Sequence, residues 1–285
     1  VRPIRTNKTS GMRHMPDERT AERQPNRYQA IIERVFRDHY VSNVTEFEFT
    51  RDEFVAIAAS LKIALPKNPG DVIYSFRYRY ELPEAVRKTA AKGLEWIIEG
   101  AGRARYRFKQ VRLNRIVPRE ELLTIKVPDS TPEIIAAYAL TDEQALLAKV
   151  RYNRLIDVFL GITAYSLQNH LRTTVKNVGQ IEIDEIYVGL DRHGRQFVVP
   201  VQAKGGSDKH GVVQTQQDIL CCADKFPNLI CRAVSAQFMT EERIALFELT
   251  VKSGDIKVVD ERHYQLVPAG NICSEDLQQY ASRAT

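Results

Sequence analysis

Apolar and polar positions along this chain divide it into a helix-rich first half and a strand-rich second half. Over 26–39, Tyr28, Ile31, Ile32, Val35 and Phe36 recur at helical spacing, and a strand is expected over 44–49. Thr50-Arg51-Asp52-Glu53 is a capping box that opens a helix to about Leu61. The run 72–80 has strand-like residue types, but Ile73, Phe76 and Tyr80 fit one helical face, which favours a helix with Arg77 outward and Arg79 at its flank. A further helix is expected over 83–92. Two strands, 94–99 and 103–109, then flank Gly100-Ala101-Gly102 as a hairpin. On its second strand Arg103, Arg105, Arg107 and Lys109 alternate with Ala104, Tyr106 and Phe108, so a row of four cations is expected on one face. Three prolines mark 112–140 as a connector. Thr141-Asp142-Glu143-Gln144 is a second capping box, expected to open a helical region to about Thr173 with a break near Gly161. Beyond it come a helix over 212–225, strands near 229–236, 244–251, 256–259 and 263–267, and a polar, peripheral tail.

Between these lies the segment with the most chemistry. Ile181-Glu182-Ile183-Asp184-Glu185-Ile186-Tyr187-Val188 and Phe197-Val198-Val199-Pro200-Val201-Gln202-Ala203-Lys204 are β-branched enough for strands, yet both carry charged or amide groups. Leu190 to Arg195 reads as a hairpin turn, with Gly194 supplying a positive φ. If Leu190 faces Gln196, then Asp184 faces Gln202 and Glu182 faces Lys204. Alternation then puts Glu182, Asp184, Gln202 and Lys204 on one face, and Ile183, Tyr187, Val199, Val201 and Ala203 on the other. The alternative is a half-exposed hairpin whose charges meet only solvent.

Asp184 followed by Gln202-Ala203-Lys204 on the next strand resembles the PD-(D/E)XK nuclease superfamily, and within it the Mrr-like restriction endonucleases with an Asp…Gln-x-Lys motif. The resemblance covers roughly the second half of the chain. Ile183 stands where that motif has proline, and Gln202 replaces the commoner glutamate. It implies an α/β (α+β) fold with a mixed sheet flanked by helices, and Mg²⁺-dependent hydrolysis of DNA phosphodiesters. Asp184, Gln202 and the Ala203 carbonyl would hold the metal, Lys204 would act on water and phosphate, and Glu182 would be a possible additional catalytic residue. A helix before the hairpin can add an acid in this family, but 168–170 offers only Gln168, Asn169 and His170. The helix over 212–225 presents Gln214, Gln217 and Asp218, with its first turn able to approach a phosphate. Helices followed by a basic hairpin are similar in outline to a winged-helix DNA-binding domain. Arg77 and Arg79 would then reach base edges, and the row Arg103, Arg105, Arg107 and Lys109 would follow the phosphates. The alternative is an edge strand whose cations guard against aggregation.

Composition adjusts this picture only in part. The chain of 285 residues is 44% hydrophobic and 27% charged, the profile of a soluble globular protein, with no apolar run long enough to span a membrane. The net charge of +5 is uneven: 24 Lys/Arg against 16 Asp/Glu up to Ile125, then 17 against 20. A basic first half suits a polyanion and an acidic second half suits a cation. Cys221, Cys222, Cys231 and Cys273 lack zinc spacing and read as free thiols in a cytoplasmic protein. The expected organisation is a disordered basic arm (1–25), a winged-helix-like DNA-binding domain (26–125), a linker (126–140) and a nuclease domain (141–285). Double-stranded DNA is the expected partner, and cutting both strands would suit a homodimer. The rival readings are a non-catalytic DNA-binding regulator on a nuclease-like scaffold, and a structure-specific or RNA-directed nuclease.

Overall fold

A computed structural model describes residues 27–78, 80–112, 115–138, 143–175, 178–205 and 210–282. The expected basic arm, Arg79 and the second capping box's Thr141 and Asp142 lie outside the described residues.

The first unit runs α1 (Gln29–His39), β1 (Glu46–Thr50), α2 (Arg51–Ser60), α3 (Gly70–Tyr78), α4 (Glu84–Arg87), β2 (Glu95–Gly100) and β3 (Arg105–Val111). Ile31, Ile32, Val35 and Phe36 are the buried stripe of α1. The capping box forms as read: Thr50 Oγ1 accepts from the Glu53 amide, and Glu53 Oε2 accepts from the Thr50 amide. The run expected over 72–80 is helical as far as Tyr78, and its buried Val72, Ile73 and Phe76 face the sheet. The helix expected over 83–92 is one turn long. The antiparallel sheet has the order β1-β3-β2, so the arginine strand β3 is central and not an edge.

The second unit is built on an eight-stranded mixed sheet. Its elements are β4 (Arg115–Ile116), β5 (Thr124–Pro128), α5 (Glu133–Tyr138), α6 (Glu143–Tyr152), α7 (Leu155–Leu160), β6 (Thr163–Val175), β7 (Gly179–Leu190), β8 (Gln196–Lys204), β9 (His210–Gly211), α8 (Val212–Lys225), β10 (Ile230–Cys231), β11 (Ala233–Phe238), β12 (Arg243–Lys252), β13 (Asp255–Val267) and α9 (Ser274–Ala281). The strand order is β5-β13-β12-β11-β8-β7-β6, with β10 also pairing β8. β6, β7 and β8 form an antiparallel meander, and α8 carries the chain over to β11, parallel to β8.

Two expectations change here. The helical region expected to reach Thr173 stops at Leu160, where Gly161 takes φ 63° as the C-cap, and 163–175 continues as a polar strand paired with β7. The connector is not a bare link either, because Thr124–Pro128 adds a parallel strand beside β13. The sheet is covered on both faces. α6 and α7 pack Leu146, Val150, Leu155 and Ile156 on one side, against Tyr187, Val199, Val201 and Ala203. Cys221 and Cys222 of α8 pack on the other, against Ile181, Ile183, Ile186 and Val198. All four cysteines are free, and no helix among the described residues is long and apolar enough to cross a membrane.

The two units share a core. Ile97 of β2 and Val111 of β3 join Val212 and Val213 of α8 and Phe247 of β12 in one apolar cluster. Tyr78 at the end of α3 donates its hydroxyl to Gln217 Oε1 on α8 at 2.8 Å. The fit is close at Gly100, where a Cβ would lie 2.6 Å from the Val178 carbonyl oxygen. Backbone cannot yield as a flexible side chain does. Gly100→Ala is therefore expected to lower unfolding free energy by about 1–3 kcal/mol, the usual range for overpacking. Chemical denaturation checks this, and an unchanged midpoint would show that the two units are not held at this distance.

Candidate active site

The β7–β8 hairpin forms in the expected register, from Leu190↔Gln196 to Glu185↔Val201, with Gly194 at φ 78° in its turn. Beyond Glu185 the ladder stops, while β7 stays paired with β6 and β8 with β11. At this fork the Ala203 amide donates to Asp184 Oδ2 at 2.8 Å. An extended residue directs its N–H and C=O to the same edge, so the Ala203 carbonyl also points toward β7 and its aspartate.

Burial raises the Asp184 carboxyl above its ordinary value, against the lowering effects of the Ala203 amide and the Lys204 charge. A hydrogen bond to a charged group contributes about 1.5–3 kcal/mol. Here desolvation outweighs it. Lys204 does not meet Glu182 as expected. Its Nζ lies 2.9 Å from Glu143 Oε1, in the first turn of α6, with the lysine side chain 12% exposed and the glutamate 39%. Glu182 instead pairs with Arg172 (3.1 Å) and His170 (3.6 Å). The reason is the fork: Glu182 sits directly across from Arg172 on β6, where pairing persists, and has no such partner on β8.

Gln202 is 1% exposed, and its Nε2 donates to the Glu182 carbonyl at 3.0 Å and to Asp218 Oδ1 at 3.3 Å. Asp218 lies on α8, fully enclosed, and burial pushes its carboxyl well up. The Gln202 hydrogen bond counters that rise and the Asp184 charge adds to it. Ile183, expected beside Tyr187, lies instead in the apolar cluster beneath α8. Strict alternation fails around Asp184 because the neighbouring strand is irregular there. β6 has a bulge between Ser166 and Gln168, and His170 takes φ 48°. Bulges re-aim side chains in this way.

The structure therefore brings Asp184, the Ala203 backbone, Lys204 and Glu143 to one end of the sheet, with Gln202 and Asp218 beneath. Glu143 and Asp218 were missed as site residues. The first stood in a capping box, and the second was one of several polar residues on α8. Gln168, Asn169 and His170 lie on β6 and not on a helix. Among the described residues no three His, Cys, Asp or Glu side chains form a ready metal cage. The donor set is nevertheless one of hard oxygens around a half-buried carboxylate, and it suits Mg²⁺, which keeps several waters and needs few protein ligands.

The expected DNA-contacting row is placed differently. Arg105 pairs with Glu48. Arg107 meets Glu48 at 2.8 Å and Glu99 at 3.4 Å. These glutamates come from β1 and β2, on either side of the central β3, so the cations are already matched across the strands. Arg103 sits in the exposed turn, and neither it nor Lys109 has an ion-pair partner among the described residues. Arg77 is not outward: its Nε and Nη2 are buried.

Comparisons with protein-family profiles, curated proteins and solved structures give no match to this chain.

Just past the fork, His210 is fully buried with Nε2 against Thr215 Oγ1. Burial, helped by the Lys204 and Arg115 charges, pulls its pKa from 6.5 to about 3. A base with a depressed folded value contributes stability above pH 6.5 and loses it as pH falls toward 3. His210→Gln is thus expected to be less stable than the parent at pH 7, with the gap narrowing steadily toward pH 4. Thermal unfolding across that range tests it, and parallel curves would show that His210 does not titrate against folding.

Proposed function

We propose that this protein is a Mg²⁺-dependent DNA endonuclease, most like a restriction enzyme of the PD-(D/E)XK type. The observation that carries the reading is the fork itself: a half-buried aspartate hydrogen-bonded to the Ala203 backbone, with a lysine next to it. The order β7, turn, β8, α8, parallel β11 supports it, a hairpin followed by a helix and a strand being the order that the resemblance implies. The order α1-β1-α2-α3-α4-β2-β3, in which α4 is a single turn, with sheet order β1-β3-β2 likewise supports a winged-helix reading of the first unit.

Asp184, the Ala203 carbonyl and the Gln202 amide oxygen would hold the cation. The two hydrogen bonds on Gln202 Nε2 fix which way that amide points. Bound Mg²⁺ supplies Lewis acidity to the scissile phosphate and lowers the pKa of the attacking water. Lys204 orients that water and stabilises negative charge developing on the phosphate. Glu143 holds the Lys204 ammonium in place, and the enclosed floor of Gln202 and Asp218 excludes water from below. Arg103 and Lys109 are the cations on β3 and its turn left to engage DNA phosphates.

Asp184→Ala and Lys204→Ala are each expected to abolish Mg²⁺-dependent nicking of plasmid DNA while sparing DNA binding. Glu143→Gln should slow it about tenfold or more, as expected when a catalytic group loses its orientation. Metal-dependent cutting by purified Lys204→Ala protein would refute the assignment. The rival regulator reading is favoured by the lack, among the described residues, of a third ligating side chain. It predicts neither Mg²⁺ binding nor nicking by the parent.

The DNA surface is tested separately. Replacing Arg103 and Lys109 with Ala should flatten the salt dependence of binding by up to about 0.9 log units per lost phosphate contact. Replacing Arg105 should change it little, because its charge is already matched by Glu48. The reverse ranking would mean that the Glu48 pairing opens on DNA.

A further inference from the structure

A cavity of about 320 Å³ opens in the first unit between α3, α4 and β2, far along the chain from the strand fork, with Arg115 on one side. Its floor is apolar, formed by Leu82 and Trp96, and Tyr80, 46% exposed, stands at its rim. Three guanidinium groups line it, from Arg77, Arg87 and Arg115. Two carboxylates oppose them: Glu81, which pairs with Arg87 at 3.1 Å, and Glu95.

Arg77 is the unusual member. Its Nε and Nη2 are buried with no hydrogen-bond partner among the described residues, although the guanidinium lies 5.0 Å from the Tyr78 ring centroid. Buried donors left unmade are costly, and in a folded protein each one calls for an explanation. Nε with a terminal nitrogen forms the side-on edge that binds carboxylate or phosphate through two parallel hydrogen bonds. Arg77 lines the cavity, and binding there requires a side-chain rotation that turns this buried edge into it. The exposed tyrosine ring offers a face for stacking, and the apolar floor suits a flat body below an anionic head.

We propose that this cavity binds a nucleoside 5′-monophosphate unit, with the phosphate on Arg77 and the base between Tyr80 and the Trp96 floor. Its size matches one nucleotide and excludes an oligonucleotide. The unit comes either from a free nucleotide or from a residue turned out of a DNA duplex, which presents the same chemistry. The site is separate from the fork, so its occupancy is measured without cleavage and stands or falls apart from the nuclease reading.

Trp96 is the only tryptophan in the chain and reports on the cavity directly. The full-length protein is titrated with each deoxynucleoside 5′-monophosphate, with a duplex carrying 2-aminopurine, and with inorganic phosphate, following tryptophan fluorescence. Saturable quenching by a free mononucleotide assigns the site to free nucleotides. Quenching by the duplex alone, with a rise in 2-aminopurine emission, assigns it to an everted residue. Either response should weaken about tenfold or more in Arg77→Ala and in Tyr80→Ala, and stay unchanged in Lys252→Ala, an exposed position away from the cavity lining. Tyr80 is a surface residue, so its variant keeps the test valid if Arg77→Ala fails to fold. The proposal is overturned if neither form of nucleotide perturbs Trp96, if inorganic phosphate binds as tightly, or if Tyr80→Ala binds like the parent.

Discussion

The hydrogen bond from the Ala203 amide to Asp184 sets the terms for the rest of the second unit. It occupies the place where the β7–β8 ladder would otherwise continue, and it substitutes a side-chain carboxylate for a backbone carbonyl. Two strands that part there must each be held by another neighbour. β7 is held by β6 and β8 by the parallel β11. The parallel step in turn requires a long crossover, which α8 provides, and α8 brings Asp218 beneath Gln202. One local exchange of hydrogen-bond acceptor thus accounts for the mixed sheet, the crossover and the enclosed polar floor. It also places a carboxylate where desolvation opposes its charge, so the arrangement is costly unless a cation shares it.

The second constraint is the joint between the units. Ile97 and Val111 belong to the sheet of the first unit, yet they are buried against α8 and β12 of the second. Tyr78 extends this contact to Gln217, the residue next to Asp218. The end of α3 is therefore not free to enter a DNA groove as a separately tethered reader would be. Any load placed on α3 is felt by α8, one residue from the acid that fixes Gln202. A rigid joint of this kind favours a protein in which binding and the strand fork respond together.

Legibility in the sequence followed the range of the interactions involved. The α1 stripe, the first capping box, the 190–196 turn and the 212–225 helix depend on neighbours a few residues away, and each formed where its residues pointed. The 163–175 segment did not, because its polar, half-exposed strand pairs with β7 and gives no clean apolar alternation of its own. Asp184, Ala203 and Lys204 were legible because a hairpin fixes their relation over a short turn. Glu143 was not, since its contact with Lys204 spans 61 residues and its position also suits a helix start. Glu182 failed for the opposite reason. Its expected partner assumed a ladder that the fork interrupts.

The basic strand shows what a count of charges leaves out. Counting cations over the first half gave a polyanion surface, and alternation put four of them on one face of β3. A central strand has two neighbours, however, and both supply glutamates at matching register: Glu48 opposite Arg107 on one side and Glu99 on the other. Partly buried, cross-strand pairs of this sort keep their partners more firmly than exposed ones, so a phosphate must compete for those guanidiniums. What distinguishes Arg77 is the reverse condition. Among the described residues it has no ion-pair partner, its Nε and Nη2 are buried without a hydrogen-bond partner, and a cavity lies beside it. The informative cation in this half is the one with buried, unpartnered donors, which neither the count nor the alternation could show.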